Sequence, residues 1–486
     1  MKQLSGLDAG FLSMETSTQY GHVSSLIVVD PSTGSGDVYG DVRRVFEERL
    51  HLMEVYRRKL VEVPFGLDLP YWVEDPDLDL DFHLREIALP PPGDDRQLGD
   101  QVARIVARPL DRTRPLWEWY VISGLCDGLV AILTKVHHAT IDGVSGVELL
   151  NVVLDTEPGG RPAGPPPGPR RLEPVPGDVE LLARTALQYA TRPRKALRLQ
   201  VQVVRTLAEL SGNPAARQTA RAIVPGLRRL RLLPPSSRPP QPALPSRPAP
   251  RTPFNRSISP HRRFAFRSLS FEDARTVKSA FGVTVNDVVM ALCAGALRRY
   301  LVDHDALPAD PLIAMVPVSV REAGDTEYTN RVTGVVCSLH TDRADPVDRL
   351  RRIHESMAAA KELQQAVPAT ILSDAAHILP PALAAQAARL VSSTRIADRM
   401  NPPVNLTISN VPGPRRPLYL SGAEMRHFYP VSTIVEGQGL NMTVQSYLGN
   451  LDFGFLACRE LMPDVWDLAD HIADSMDELL AAAKEA

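Results

Sequence analysis

Three consecutive stretches decide how this chain is read: LVAILTKV (Leu129 to Val136), HHATIDG (His137 to Gly143) and VSGVELLNVVLD (Val144 to Asp155). The first is a mostly apolar run of strand length, suited to a buried strand. The last places Val147, Leu150 and Leu154 in a helical stripe. Between strand and helix stands the densest polar motif of the sequence. Adjacent residues at a strand end point to opposite faces, so one histidine can face a cleft while the other packs inward. Asp142, four residues after His138, can return beneath the same loop to hold it, and Gly143 permits a tight turn or a close backbone approach. An imidazole has a reference pKa of about 6.5, matched to taking a proton from a hydroxyl near neutral pH.

Other readings of the motif are open on residues alone. A metal site wants third and fourth ligands, and no neighbouring His, Cys or acidic pattern supplies them. A serine nucleophile elbow needs G-x-S-x-G, and Gly143-Val144-Ser145-Gly146-Val147 departs from it at the fifth position. Two histidines satisfied inside a core are the plain structural alternative.

Outward from this motif the chain falls into three zones. Its 486 residues exceed a usual single domain about threefold, so two domains with connecting material are expected. Residues 1–157 form the first zone and 261–486 the third. The 158–260 zone opens and closes on proline-rich stretches, which read as extended linkers. In the third zone Ser270 with Asp273 forms a capping signal, Gly282 a helix stop, and a helix runs from Asn286. Strands are expected at Leu312 to Val320, Val332 to Leu339 and Val404 to Ser409, with helices near 346–364 and 380–395. A hairpin is expected to turn at Gly449-Asn450, and a last helix from Asp464. Alternating helices and strands in both halves imply two layered α/β domains.

Composition removes several functions. At 44% hydrophobic and 23% charged it is ordinary for a globular protein. Cys126, Cys293, Cys337 and Cys458 form no CxxC pair, which suits a reducing compartment. The opening MKQLSGLDAGFLSMETS lacks the apolar core of a secretion signal, and no uninterrupted apolar run is long enough to span a membrane. A cytoplasmic location is expected. The net charge of −3 hides an asymmetry: Arg184 to Arg263 holds seventeen Arg or Lys against the single acid Glu209, a local +16 that leaves −19 elsewhere. Within it Leu187, Leu197, Val201, Val204, Leu207 and Leu210 recur at helical spacing. Such a segment is either a solvated strap between domains or a peripheral contact, through 184–233, with anionic membrane or lipid droplets. Stacking aromatics are nearly absent, which argues against nucleic acid.

HHATIDG resembles the HHxxxDG signature of the coenzyme A-dependent acyltransferase superfamily, which includes chloramphenicol acetyltransferase and peptide-synthetase condensation domains. More narrowly, the chain is similar to bacterial wax ester synthase/acyl-CoA:diacylglycerol acyltransferases. Further matching pieces are LSGLDAGFL from Leu4, the segment Asp75 to Arg85, Pro115-Leu116-Trp117 and Val285-Asn286-Asp287-Val288. VPVSVR (Val316 to Arg321), SNVPGP (Ser409 to Pro414) and YPVSTIVEGQGLNMTVQSY from Tyr429 complete the set. The proline-rich middle is not covered.

The resemblance implies two chloramphenicol-acetyltransferase-like α/β domains in pseudo-symmetric arrangement, with a tunnel between them and the histidine at its middle. It implies acyl-CoA as substrate, diacylglycerol or a long-chain alcohol as acceptor, no metal and no cofactor. His138 would take the acceptor's proton, and the oxygen would attack the thioester directly. His137 would help or fix packing. Asp142 would orient the loop, with Arg57 its expected partner and Arg58 next. Gly143 and Asn286 are the candidate oxyanion donors, Asn286 and Asp287 opening a helix near the cleft. Trp117 would line or frame the tunnel. A lipid-surface binding protein without catalysis is the alternative of another class.

Overall fold

The mostly apolar runs along 22–30, 117–123 and 130–137, buried at nearly every position, require a sheet with two covered faces. The computed structural model describes residues 1–140, 150–161, 164, 174–191, 248–319, 332–365 and 381–485. In the first half, strands β1 (Lys2–Gln3), β2 (His22–Asp30), β3 (Arg58–Val61), β4 (Tyr71–Glu74), β5 (Leu84–Ala88), β6 (Trp117–Ser123) and β7 (Val130–His137) are set among helices. These are α1 (Gly6–Ser13), α2 (Val38–Arg49), α3 (Leu80–His83), α4 (Asp95–Val106) and, in the middle zone, α5 (Asp178–Thr191).

The second half adds β8 (Arg262–Ser270), β9 (Ile313–Ser319), β10 (Val332–Ser338), β11 (Leu406–Val411), β12 (Tyr419–Leu420), β13 (Ala423–Val431), β14 (Leu440–Tyr447) and β15 (Asn450–Cys458). Its helices are α6 (Phe271–Phe281), α7 (Val285–Asp303), α8 (Pro346–Gln365), α9 (Pro381–Ser393) and α10 (Val465–Glu485).

Two six-stranded mixed sheets result, β12-β13-β2-β7-β6-β5 and β10-β9-β11-β14-β15-β8. The chain is a two-lobed α/β protein, but the lobes are not split cleanly in sequence. Strands β12 and β13 belong by sequence to the second half, yet β13 pairs antiparallel with β2, Tyr429 opposite Leu26. A register shift between Met425 and His427 interrupts this ladder, and Asp452 of the other sheet accepts from the backbone N–H of Phe428 at 2.8 Å. One buried carboxylate thus satisfies the bulge and ties the two sheets.

The capping signals give the helices their starts. Ser270 accepts from the N–H of Asp273, and Gly282 ends α6 at φ 68°. Thr284 and Asp287 cap α7 reciprocally, and Asp287 also receives His354 Nδ1 at 2.7 Å. Helix α7 lies in the second core, its Val288, Leu292 and Leu297 packed with Met442, Val444 and Ile472. Among the described residues no single helix is long and apolar enough to cross a membrane.

Three expectations shift. The hairpin turns on Leu448 and Gly449, because Tyr447 pairs with Asn450. The strand expected at 404–409 runs two residues later, as Leu406–Val411. Residues 248–260, read as the end of a linker, are packed into the second lobe. Phe254 is fully buried, and Asn255 Nδ2 donates to Asn405 O at 2.7 Å.

Candidate active site

Strand β7 ends at His137, and its alternation sets the two histidines apart. Thr134, Val136 and His138 line a cavity of about 170 Å³ between the two sheets. Lys135 and His137 turn the other way and are each 1% exposed, with Lys135 Nζ held 3.3 Å from Glu118. The opposite cavity wall is the second sheet: Ser409 and Val411 on β11, Thr443 and Gln445 on β14. Tyr56, Phe428 and Pro430 complete it nearby.

The His138 ring is fixed from two sides. Its backbone N–H donates to Gly21 O at 2.8 Å, and its imidazole stacks on Phe11, ring centres 4.2 Å apart and planes within 10°. Phe11 is delivered by α1, which Ser5 caps through the N–H of Asp8. Ala9 and Leu12 of that helix pack with Leu116 and Ala139. LSGLDAGFL, Pro115-Leu116-Trp117 and HHATIDG therefore converge on one apolar cluster behind the histidines.

His137 is a packing residue with a defined tautomer. Its Nδ1 accepts from the N–H of Ala139 at 3.0 Å, so in the neutral ring the proton lies on Nε2, 3.2 Å from Glu15 Oε1. Gly21 must be glycine here, since a Cβ would come within 2.5 Å of His137 Nε2. Burial by itself raises the Glu15 carboxyl. Bonds from His137, the Gly21 N–H and Arg112 outweigh it and bring the group down to about 2.

The remaining expected residues are distributed as follows. Asp142 and Gly143 lie outside the described residues. Arg57, expected to pair with Asp142, sits just before β3 and forms an ion pair with Glu74 at the end of β4. Trp117 is fully buried and does not line the cavity; it stacks on Tyr56 at 4.6 Å and donates to the Tyr56 carbonyl at 2.8 Å, backing a residue that does. Asp287 is a buried cap, 1% exposed. Asn286, a candidate oxyanion donor, accepts from Asn410 Nδ2 at 3.3 Å. Asn410 alternates with Ser409 and Val411 and so projects from the far face of β11, putting the sheet between Asn286 and the cavity.

Two histidines set aside by sequence are structural. His22, opposite His137 in the ladder, bonds Val106 O at 2.9 Å, and His83 bonds Trp117 O at 2.7 Å. Sequence reasoning missed Phe11, Glu15, Tyr56 and Gln445. The first lies in a quoted motif and the last in the quoted run from Tyr429, but nothing in either stretch states a role.

A profile of the wax ester synthase/diacylglycerol acyltransferase catalytic domain matches residues 4–289, and one of the family's C-terminal domain matches 328–480. A Mycobacterium tuberculosis protein named as a diacylglycerol O-acyltransferase is 36% identical over 487 residues, spanning 100% of this chain and 91% of its own length. A second one from that organism is 38% identical over 480 residues, covering 98% and 99%. The solved wax ester synthase/diacylglycerol acyltransferase from Marinobacter aquaeolei VT8 is similar over 100% of both chains, with a TM-score of 0.69 at 31% identity. The first condensation domain of the calcium-dependent antibiotic synthetase shares the fold at a TM-score of 0.51 and 14% identity, covering 99% of this chain and 96% of its own. With both lobes matched and the histidine motif at the cavity between their sheets, the chain belongs to the wax ester synthase/diacylglycerol acyltransferase family of acyltransferases.

Proposed function

We propose that this chain moves a fatty acyl group from acyl-CoA to the free hydroxyl of diacylglycerol, giving triacylglycerol and coenzyme A. The observation that carries this reading is the placement of His138: the one histidine of the pair on the cavity wall, its ring held by Phe11 and its backbone by Gly21.

In this reading His138 takes the proton of the acceptor hydroxyl as its oxygen bonds to the thioester carbon. The same imidazole then protonates the departing thiolate. Two substrates held against one base make the reaction effectively intramolecular, which supplies a large part of the rate. Asp142 orients the loop, and no resident metal or cofactor is invoked. Small hydroxyl side chains on the cavity wall, Ser25, Thr134 and Ser409, suit a polar glyceryl ester better than a bare hydrocarbon. Wax ester synthesis from a long-chain alcohol uses the same chemistry and is the second reading, because cavity shape selects the acceptor. The basic segment within 184–233 is assigned to peripheral contact with anionic lipid.

Purified protein given palmitoyl-CoA with diolein or hexadecanol, side by side, should release free thiol and form ester, faster with diolein. His138→Ala should lower that rate by about 10²–10⁴, the usual contribution of a positioned general base. Equal thiol release by the variant would remove His138 from the chemistry. Binding of lipid without any thiol release from the intact protein would favour a non-catalytic lipid-surface role.

A further inference from the structure

On β14 the side chains of Asn441, Thr443, Gln445 and Tyr447 alternate with Met442 and Val444. The latter two pack into the second core beneath α7. The first set faces the other sheet. Thr443 spends its hydroxyl on Asn441 Oδ1 at 2.8 Å. Gln445 has no such partner: it is 4% exposed, it lines the cavity that holds His138, and its Nε2 meets no hydrogen-bond acceptor among the described residues. A primary amide nitrogen can only donate, so what it faces in the working enzyme must accept. Buried donors are rarely left unpaired, and one aimed into a ligand cavity points to an acceptor on the ligand.

The side chain is also held. Gly413 of SNVPGP packs against it so closely that a Cβ there would come within 3.2 Å of Gln445 Cγ. The Gly413 N–H donates to Ser446 Oγ at 3.2 Å, fixing the turn over the strand. Backbone close to one side of the stem limits its room to move, which favours the pre-orientation that stabilisation of developing charge requires.

Resting on the acyl-transfer reading above, we propose that Gln445 is a catalytic residue, its side-chain amide donating to the thioester carbonyl oxygen as that oxygen becomes an oxyanion. His138 and Gln445 stand on opposite walls of one cavity, carried by different sheets. The acceptor oxygen bonds to the acyl carbon while its proton goes to His138. The carbonyl π pair moves onto the oxygen that Gln445 binds. Collapse re-forms the carbonyl and breaks the C–S bond, and the sulfur takes the proton from His138. Ester and free coenzyme A are the only products.

The test uses the full chain with Gln445→Met, Gln445→Glu and Gln445→Asn, assayed with palmitoyl-CoA and diolein beside melting curves. Gln445→Met keeps the volume without a donor. Gln445→Glu replaces the donor by an acceptor, and Gln445→Asn withdraws the amide by one methylene. All three should lose about 10²–10³ in kcat, the usual effect of removing one oxyanion donor, with KM for both substrates changed by less than about threefold. Because Gln445→Glu and Gln445→Asn remain polar, a melting defect confined to Gln445→Met leaves them to decide the matter. Wild-type kcat in Gln445→Glu, or a loss confined to the KM for diolein, would overturn the assignment. If wild type turns over, His138→Ala is dead and Gln445→Met is unimpaired, only the Gln445 role fails. If wild type releases no thiol, the acyl-transfer reading falls and takes this role with it.

Discussion

Beneath His138 the carboxylate of Glu15 collects three partners that come from three separate places in the chain. His137 Nε2 lies 3.2 Å away, the Gly21 N–H donates at 2.7 Å and Arg112 donates at 2.7 Å. Glu15 does not line the cavity, so it acts as a positioning group for the strand end that bears His137 and His138. Its carboxyl is brought from 4.5 to about 2 in the folded chain. A depressed carboxyl stabilises the fold above its unfolded pKa, and that stability is lost as pH falls through the folded value. Glu15→Gln should therefore cost up to about 3 kcal/mol at pH 7, with the gap to wild type closing as pH falls from about 4.5 toward 2. Urea melts of both proteins at neutral pH and near pH 3 measure this, and a gap independent of pH would refute it. Of these residues only the histidines were legible in sequence, as a motif. Glu15 was not, since a single acid in a loop carries no period or spacing, and its partners meet only after folding.

At the scale of elements, the piece that follows the histidine loop is anchored by a buried ion pair. Residues 150–153 are helical, and just beyond them Asp155 accepts from Arg49 of α2 at 3.0 and 2.8 Å, both side chains 4% exposed. Backbone bonds of 2.8 Å in each direction join Asp155 to Tyr419 of β12. The motif's far end is thereby tied to α2 and to a strand from the second half. Asp155→Ala would strand a buried guanidinium and should cost about 3–5 kcal/mol, read as a lower urea midpoint. A loss under about 1 kcal/mol would mean that the Val152 and Arg161 carbonyls already satisfy Arg49. Elements such as β7 and α7 were readable because burial on all sides demands a near-continuous apolar run, of strand length in the first and of helix length in the second. The hairpin turn moved by one residue because cross-strand pairing of β14 with β15 sets the register, and Leu448 accepts φ 50° to allow it. Local turn preference was not decisive.

For the whole molecule, the charge asymmetry is the property that reaches beyond the site. Helix α5 opens the basic segment with Leu181 buried against Val63 and Tyr71, while Val179 is 82% and Leu187 64% exposed. Phe65, in the 3-10 turn at Pro64–Gly66, is 85% exposed. Exposed apolar side chains where the arginine-rich stretch of sequence begins suit an anionic lipid surface. Sedimentation with phosphatidylglycerol vesicles should show binding that drops several-fold between about 0.05 M and 0.5 M NaCl, because screening shortens from above 10 Å to a few ångströms. Deleting 184–233 should abolish it; unchanged sedimentation would dismiss the segment as a lipid contact.

What the amino-acid order settled unaided was local: the strand into His137, the cap of α6, and a histidine pair whose two rings must face apart. Those follow from backbone geometry within a few residues. Which ring meets the cavity, that β13 crosses to the other lobe, and that Arg57 meets Glu74 and Asn286 the far side of β11 were decided only by tertiary packing. Each depends on which distant surfaces bury one another, and that is a property of the whole chain's apolar area with no counterpart in any short stretch.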